Sequence, residues 1–179
     1  MKKTIKVIQY RRKLDGRTNY KKRLKLLISG TPRLVVRKSN KNILVQTVVY
    51  HEDGDKIITT TSSAELKKLG WKHATGNVPA AYLTGLLAAK KTVAKNVKNA
   101  IADFGLQGAV KGSRLYAVLK GANDGGLVVP CSEEVYPSED RLSGKHIAEY
   151  GKTSKQFKTS PATMEASFKE MKETLLKSK

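Results

Sequence analysis

Between positions 33 and 63 the apolar residues come in short β-branched runs separated by turn residues; after position 77 they recur with the helical period. Arg33–Ser39 contains Leu34, Val35 and Val36, and Asn40, Lys41 and Asn42 supply turn chemistry. From Ile43 to Tyr50, Val45, Thr47 and Val49 fall on one side and Leu44, Gln46 and Val48 on the other. Glu52-Asp53-Gly54-Asp55 is a hairpin signal, and Lys56–Ser62 follows with Ile57, Ile58 and three threonines. This pattern predicts a three-stranded antiparallel meander. One face of such a sheet can be covered while the other stays solvated or binds something.

Asn77 or Val78 can cap a helix with Pro79 in its first turn. Tyr82, Leu86, Ala89, Val93 and Val97 recur at spacings of 4, 3, 4 and 4, which marks one buried helical face. Lys91, Lys95 and Lys98 lie on another face, best read as solvated. Asn99–Phe104 reads as a short buried strand ended by Gly105, and residues 108–113 as a loop. Ser113 is the expected cap of a second helix running to about Asn123, with Leu115, Val118 and Leu119 inward and Gly125-Gly126 as its stop. Leu127-Val128-Val129 can add a last strand. The expected fold is α/β (α+β-like): a mixed sheet built from the meander plus one or two further strands, with helices packed on one face.

Beyond residue 130 the character changes. Glu133, Glu134, Glu139 and Asp140 form an acidic stretch, Ser143–His146 is polar, and Gly151–Thr159 reads as a linker. Ser160 and Pro161 then start a helix on which Met164, Phe168, Met171 and Leu175 form an apolar stripe. Whether that helix docks on its own domain or on a partner is open at this level. The chain thus divides into an extended basic arm (1–32), an α/β core (33–130) and a C-terminal extension (131–179) ending in that amphipathic helix.

Composition sharpens this division. Of the 43 Leu, Ile, Val and Phe residues, 28 lie between 33 and 129, so the flanks carry too little apolar area to order themselves independently. No run approaches a membrane span, and the charged N-terminus lacks the apolar segment of a secretory signal. Cys131 is the only cysteine, which removes any disulfide framework and points to a reducing, cytosolic setting. The formal net charge is +20, and residues 1–41 alone carry fifteen Lys/Arg against Asp15. A segment so charged repels itself unless a polyanion neutralises it, and nucleic acid is the common one. A membrane-surface helix would need an apolar face opposite the basic one; here Tyr10, Gly16 and Tyr20 interrupt a mostly polar run, and only Leu24, Leu26, Leu27 and Ile28 cluster.

Catalytic patterns are missing. His51, His73 and His146 are far apart with no ligand-type residue at i+3 or i+4, so no metal is expected. Gly144-Lys145-His146 fails as a phosphate loop because histidine stands where serine or threonine is needed. Gly105-Leu-Gln-Gly108 has the spacing of a backbone-clamping RNA loop, but a four-residue match among fourteen glycines is weak and a turn after a strand explains it better. Asp103 is the only acid on a predicted core strand, too few for a two-metal nuclease. No enzyme activity, cofactor or small-molecule substrate is expected.

Two stretches carry a resemblance: Tyr10-Arg-Arg-Lys-Leu-Asp-Gly-Arg-Thr-Asn-Tyr20 with the Lys-Arg-Leu-Lys-Leu-Leu run at 22–27, and Pro32-Arg-Leu-Val-Val-Arg-Lys-Ser-Asn-Lys-Asn-Ile43. Asn77-Val-Pro-Ala-Ala-Tyr82, Lys120-Gly-Ala-Asn-Asp-Gly-Gly126 and Leu142-Ser-Gly-Lys-His-Ile147 extend it. Over roughly residues 8–150 the chain resembles the large-subunit ribosomal proteins numbered eighteen, in their archaeal and eukaryotic form. That resemblance implies a cytoplasmic ribosomal protein that grips 5S rRNA and seats it on large-subunit rRNA beside neighbouring ribosomal proteins. It further implies arm contacts from Arg11, Arg12, Lys13, Arg17, Thr18, Asn19, Tyr20, Lys21 and Arg23. Arg33, Arg37, Ser39, Asn40 and Asn42 would act around the first hairpin, and Lys145 and His146 in the extension. The alternatives are a sequence-neutral basic nucleic-acid binder and a nucleic-acid-processing enzyme.

Overall fold

The computed structural model describes residues 8–153 and 163–177. The arm contains two short helices, α1 (Arg11–Leu14) and α2 (Tyr20–Leu27). It was expected to be extended; instead Gly16, at φ +61°, turns the chain so that the amides of Arg17 and Thr18 donate to the Arg12 carbonyl. Asn19 caps α2 by accepting from the Lys22 amide at 3.0 Å.

The meander forms as read: β1 (Arg33–Lys38), β2 (Ile43–Val49) and β3 (Lys56–Ser62) pair antiparallel. A fourth strand, β4 (Ile101–Asp103), pairs parallel to β1 and gives the order β3-β2-β1-β4. It is shorter than the predicted Asn99–Phe104. Gln107 continues the ladder past it with its side chain, accepting from the Lys38 amide at 3.1 Å and donating to the Lys38 carbonyl at 2.8 Å. The expected last strand reduces to one bridge between Asn99 and Val128.

One sheet face presents Leu34, Val36, Ile43 and Val45, all buried. After the short α3 (Glu65–Lys68), the helix α4 (Val78–Val93) covers that face. Asn77 Oδ1 accepts from the Ala80 amide at 2.9 Å, as a cap should. The helix ends earlier than its apolar repeat suggested, because Asn96 turns into the left-handed region at φ +60°. Lys91 is not a solvated charge: its Nζ sits 2.5 Å from Glu65 Oε2.

Helix α5 (Arg114–Asp124) crosses α4 at very short range. A Cβ at Gly85 would lie 2.1 Å from the Val118 carbonyl oxygen, and one at Gly121 2.0 Å from that of Tyr82. Only glycine permits this approach. Ser113 occupies the cap position, but its hydroxyl makes no cap bond and is buried without a hydrogen-bond partner among the described residues. The stretch 120–126 is structural throughout. Asn123 bonds the amide and carbonyl of Val129 and the Tyr136 hydroxyl, and Asp124 accepts from the buried Tyr82 hydroxyl at 2.6 Å. Burial and that carboxylate raise the Tyr82 hydroxyl pKa far above its ordinary value.

A 3₁₀ turn (Glu133–Val135) leads to α6 (Glu139–Ser143) and α7 (Lys145–Thr153), two helices the polar composition concealed. Part of the predicted linker is therefore helical, and the rest, with the predicted cap Ser160-Pro161, lies outside the described residues. Helix α8 (Met164–Lys177) docks on its own domain: Met164, Phe168, Met171 and Leu175 are all buried in the main core. The Phe168 ring packs 5.4 Å from that of Tyr82, and Ser167 Oγ lies 3.3 Å from His73 Nε2.

Candidate nucleic-acid interface

The second sheet face is where the arm folds back. Pairing register puts Arg33 opposite Val48, Val35 opposite both Gln46 and Asp103, and Arg37 opposite Leu44. Two arginines at alternate positions of one strand therefore point to the face that α4 and α5 leave uncovered.

Acids near this face tie the arm down. Arg23 of α2 donates to both oxygens of Asp55, each at 2.8 Å, in the bidentate fork that suits guanidinium and carboxylate. Arg33 donates to Asp55 at 2.6 Å and to Asp103 at 2.9 Å. Asp103 Oδ1 accepts from the Gly105 amide at 2.8 Å, and Arg37 donates to the Asp103 carbonyl at 2.8 Å. Lys22 Nζ reaches the Gly105 carbonyl at 3.0 Å. The Arg23 hydrogen bond, more than any other contact, holds the Asp55 carboxyl below its usual range. The same pairing raises the Arg23 pKa.

Between α2 and this face lies a cleft of about 310 Å³. Arg12, Arg17, Lys22, Arg23, Arg33 and Arg37 line it, with Asp55 and Asp103 as its carboxylates. Apolar side chains from Leu26, Val35, Val48, Ile57 and Leu106 complete it, together with Thr18, Asn19 and Gln46. Six cations against two acids leave an excess that favours an anion.

The residues expected to touch RNA fall into three groups. Arg11, Arg12, Lys13, Arg17 and Lys21 are exposed on the arm, beside Tyr10 and Tyr20, whose rings lie 4.9 Å apart. A second group spends its polar atoms on local structure. Thr18 Oγ1 accepts from Arg12 Nε at 3.0 Å, Asn19 caps α2, and Ser39 exchanges bonds with Asn42 across the turn. Asn42 Oδ1 also accepts from the Thr75 hydroxyl at 2.9 Å, while Asn40 is exposed on that turn. Arg33 belongs here most clearly: it is 3% exposed between two carboxylates, so in this conformation it organises the face from within. Arg23 is half-buried on Asp55, and Arg37 is partly exposed at the cleft.

Lys145 and His146 form the third group, on α7 and outside the cleft lining. Lys145 is exposed, 3.8 Å from Asp140, and His146 Nδ1 is buried with no hydrogen-bond partner among the described residues. The Gly105–Gly108 stretch is a turn whose positive φ at Gly105 brings its backbone against the Arg37 guanidinium. Lys22, Gln46, Asp55, Ile57 and Leu106 line the cleft without having been singled out. Asp55 was legible only as a turn residue, since its partners lie 22 and 32 positions away.

A mixed α/β domain with a cationic, tyrosine-bearing arm folded along one sheet face defines the class of polyanion-binding proteins. Residues 5–102 match the family described as ribosomal large subunit proteins 60S L5 and 50S L18. The chain is 52% identical over 150 residues to the large ribosomal subunit protein uL18 of Caldivirga maquilingensis, covering 83% of this chain and 72% of the relative. It is 50% identical over 144 residues to the large ribosomal subunit protein uL18 of Methanoregula boonei, covering 80% and 83%. The chain belongs to this family of large-subunit ribosomal proteins, components of the cytoplasmic ribosome with a structural role.

Proposed function

We propose that this protein binds 5S rRNA through its arm and the adjoining sheet face and seats it on large-subunit rRNA, without catalysis. Residues 1–32 act as the RNA arm in this reading, 33–130 as the scaffold and 131–179 as an extension that buttresses it. One observation carries the reading: Arg11, Arg12, Lys13, Arg17 and Lys21 are all exposed on the arm segment that also carries the paired rings of Tyr10 and Tyr20. Guanidinium forks suit phosphate oxygens, and tyrosine rings suit unpaired bases. Neighbouring ribosomal proteins complete the set of partners.

Filter binding of purified 5S RNA against a tRNA competitor, at about 0.15 M salt, tests it. Clear preference for 5S RNA is expected. If the five exposed cations each meet a phosphate, log Kd should rise with log salt at a slope of about 3.5–4.5. Equal affinity for both RNAs would defeat the assignment, and undiminished affinity after deletion of residues 1–32 would show that the arm is not the main contact.

A further inference from the structure

The cleft behind the arm is more than a gap in packing. Its volume of about 310 Å³ lies at the lower end of the range that encloses small ligands, about 300–1,000 Å³. Its charge and its apolar surface point to the same kind of guest. Asp55 and Asp103 are taken up by Arg23 and Arg33, and Arg37 reaches Asp103 only at 3.6 Å, so Arg12, Arg17 and Lys22 have no lining carboxylate of their own. Arg12 spends only its Nε on Thr18, Arg17 is 3.9 Å from Asp15 with its side chain 70% exposed, and Arg37 is 40% exposed. Beside them Ile57 and Leu106 stand 56% and 57% exposed.

An inorganic phosphate would answer the guanidinium groups and leave those apolar side chains in water. An apolar peptide would do the reverse. A ribonucleotide carries an anion and a flat apolar face one sugar apart, and a guanidinium plane stacks well on a base. A base pair is too large, so the base must be unpaired, and entering the cleft takes it out of the stack.

We propose that this cleft is a pocket for one unstacked ribonucleotide of the bound RNA, with its phosphate at Arg12, Arg17 and Arg37 and its base against Val48, Ile57 and Leu106. The pocket rests on the RNA-binding reading above but can fail independently of it. The ion pairs of Asp55 give the pocket a fixed wall, because they tie α2 to the sheet before RNA arrives.

Ile57→Trp fills the pocket without altering charge, at an exposed strand position that accepts an aromatic residue. Filter binding of 5S RNA over a salt series should show affinity reduced about tenfold or more with an unchanged salt slope. Arg37→Gln should instead lower that slope by about one. A photoreactive p-benzoylphenylalanine in place of Ile57 should crosslink to a single nucleotide of 5S RNA. Wild-type affinity in Ile57→Trp, confirmed as folded by its thermal unfolding, overturns the pocket. So does crosslinking that is absent or scattered along the RNA. If wild-type protein shows no preference for 5S RNA, the underlying reading fails instead.

Discussion

The α4–α5 crossing sets two known effects against each other at Gly121. Replacing an interior helical glycine with alanine ordinarily stabilises a helix by about 1 kcal/mol. Here the new Cβ would stand 2.0 Å from the Tyr82 carbonyl oxygen, 2.9 Å from its carbon and 3.1 Å from the Leu86 nitrogen. All three atoms belong to the α4 backbone, so no side chain can rotate away and the helices must separate. Overpacking of this kind costs about 1–3 kcal/mol. Separation also strains the 2.6 Å bond from Tyr82 to Asp124, and leaving such a buried hydroxyl unmatched costs a further 1–3 kcal/mol or so. Repulsion wins, and Gly121→Ala should lose about 2–4 kcal/mol of stability. Urea unfolding followed by circular dichroism would register this as a midpoint lowered by about 1–2 M. Gly108→Ala is the control: nothing lies within 4 Å of its Cβ position, so its midpoint should stay near wild type. A Gly121→Ala protein as stable as wild type would refute the close-approach argument.

Three further outcomes follow from the ion pairs and from the α8 contact. Arg33→Gln removes the closer of the two cations on the buried Asp103 carboxylate, leaving Arg37 at 3.6 Å, and should cost up to about 3–5 kcal/mol in the same urea assay, whereas a purely RNA-contacting arginine would leave stability intact. Asp55→Asn removes a negative charge from a cationic face, yet it should weaken RNA binding and speed tryptic cleavage at Lys21 and Lys22, because the arm loses its tether; tighter binding would contradict this. Burial holds the His73 imidazole below its ordinary value near 6.5, so the unfolded chain takes up that proton more readily than the folded one. Stability should therefore fall as pH drops below about 6.5, and the difference in urea midpoint between pH 7.5 and 5.5 should shrink in His73→Gln.

Legibility from sequence followed the range of the interaction. The meander, the Asn77 cap of α4 and the stop of α5 depend on residues within a few positions of one another, and each was readable. The shortest helices were not, because α1, α3 and α6 have four or five residues, too few for an apolar repeat; α3 and α6 are each pinned by one buried leucine, Leu66 and Leu142, and α1 buries nothing. At the site, the arm's charge was plain, but its division of labour was hidden. Arg33 and Arg17 look alike in a basic stretch; only the fold reveals that Asp103, 70 positions on, claims the first and leaves the second exposed. Asp55 shows the same limit from the acidic side: a hairpin residue by spacing, it is the hinge of the arm's attachment by geometry.

Docking of α8 has a consequence for synthesis. Among the described elements it is made last, yet Phe168 packs on Tyr82 of α4, Ser167 meets His73, and Lys90 Nζ donates to the Leu176 carbonyl at 3.1 Å. Until α8 leaves the exit tunnel, the flank of α4 that carries Tyr82 lacks this cover, on the side of the sheet away from the arm. Early association of the arm with RNA would keep such half-made chains soluble and apart from one another during that interval.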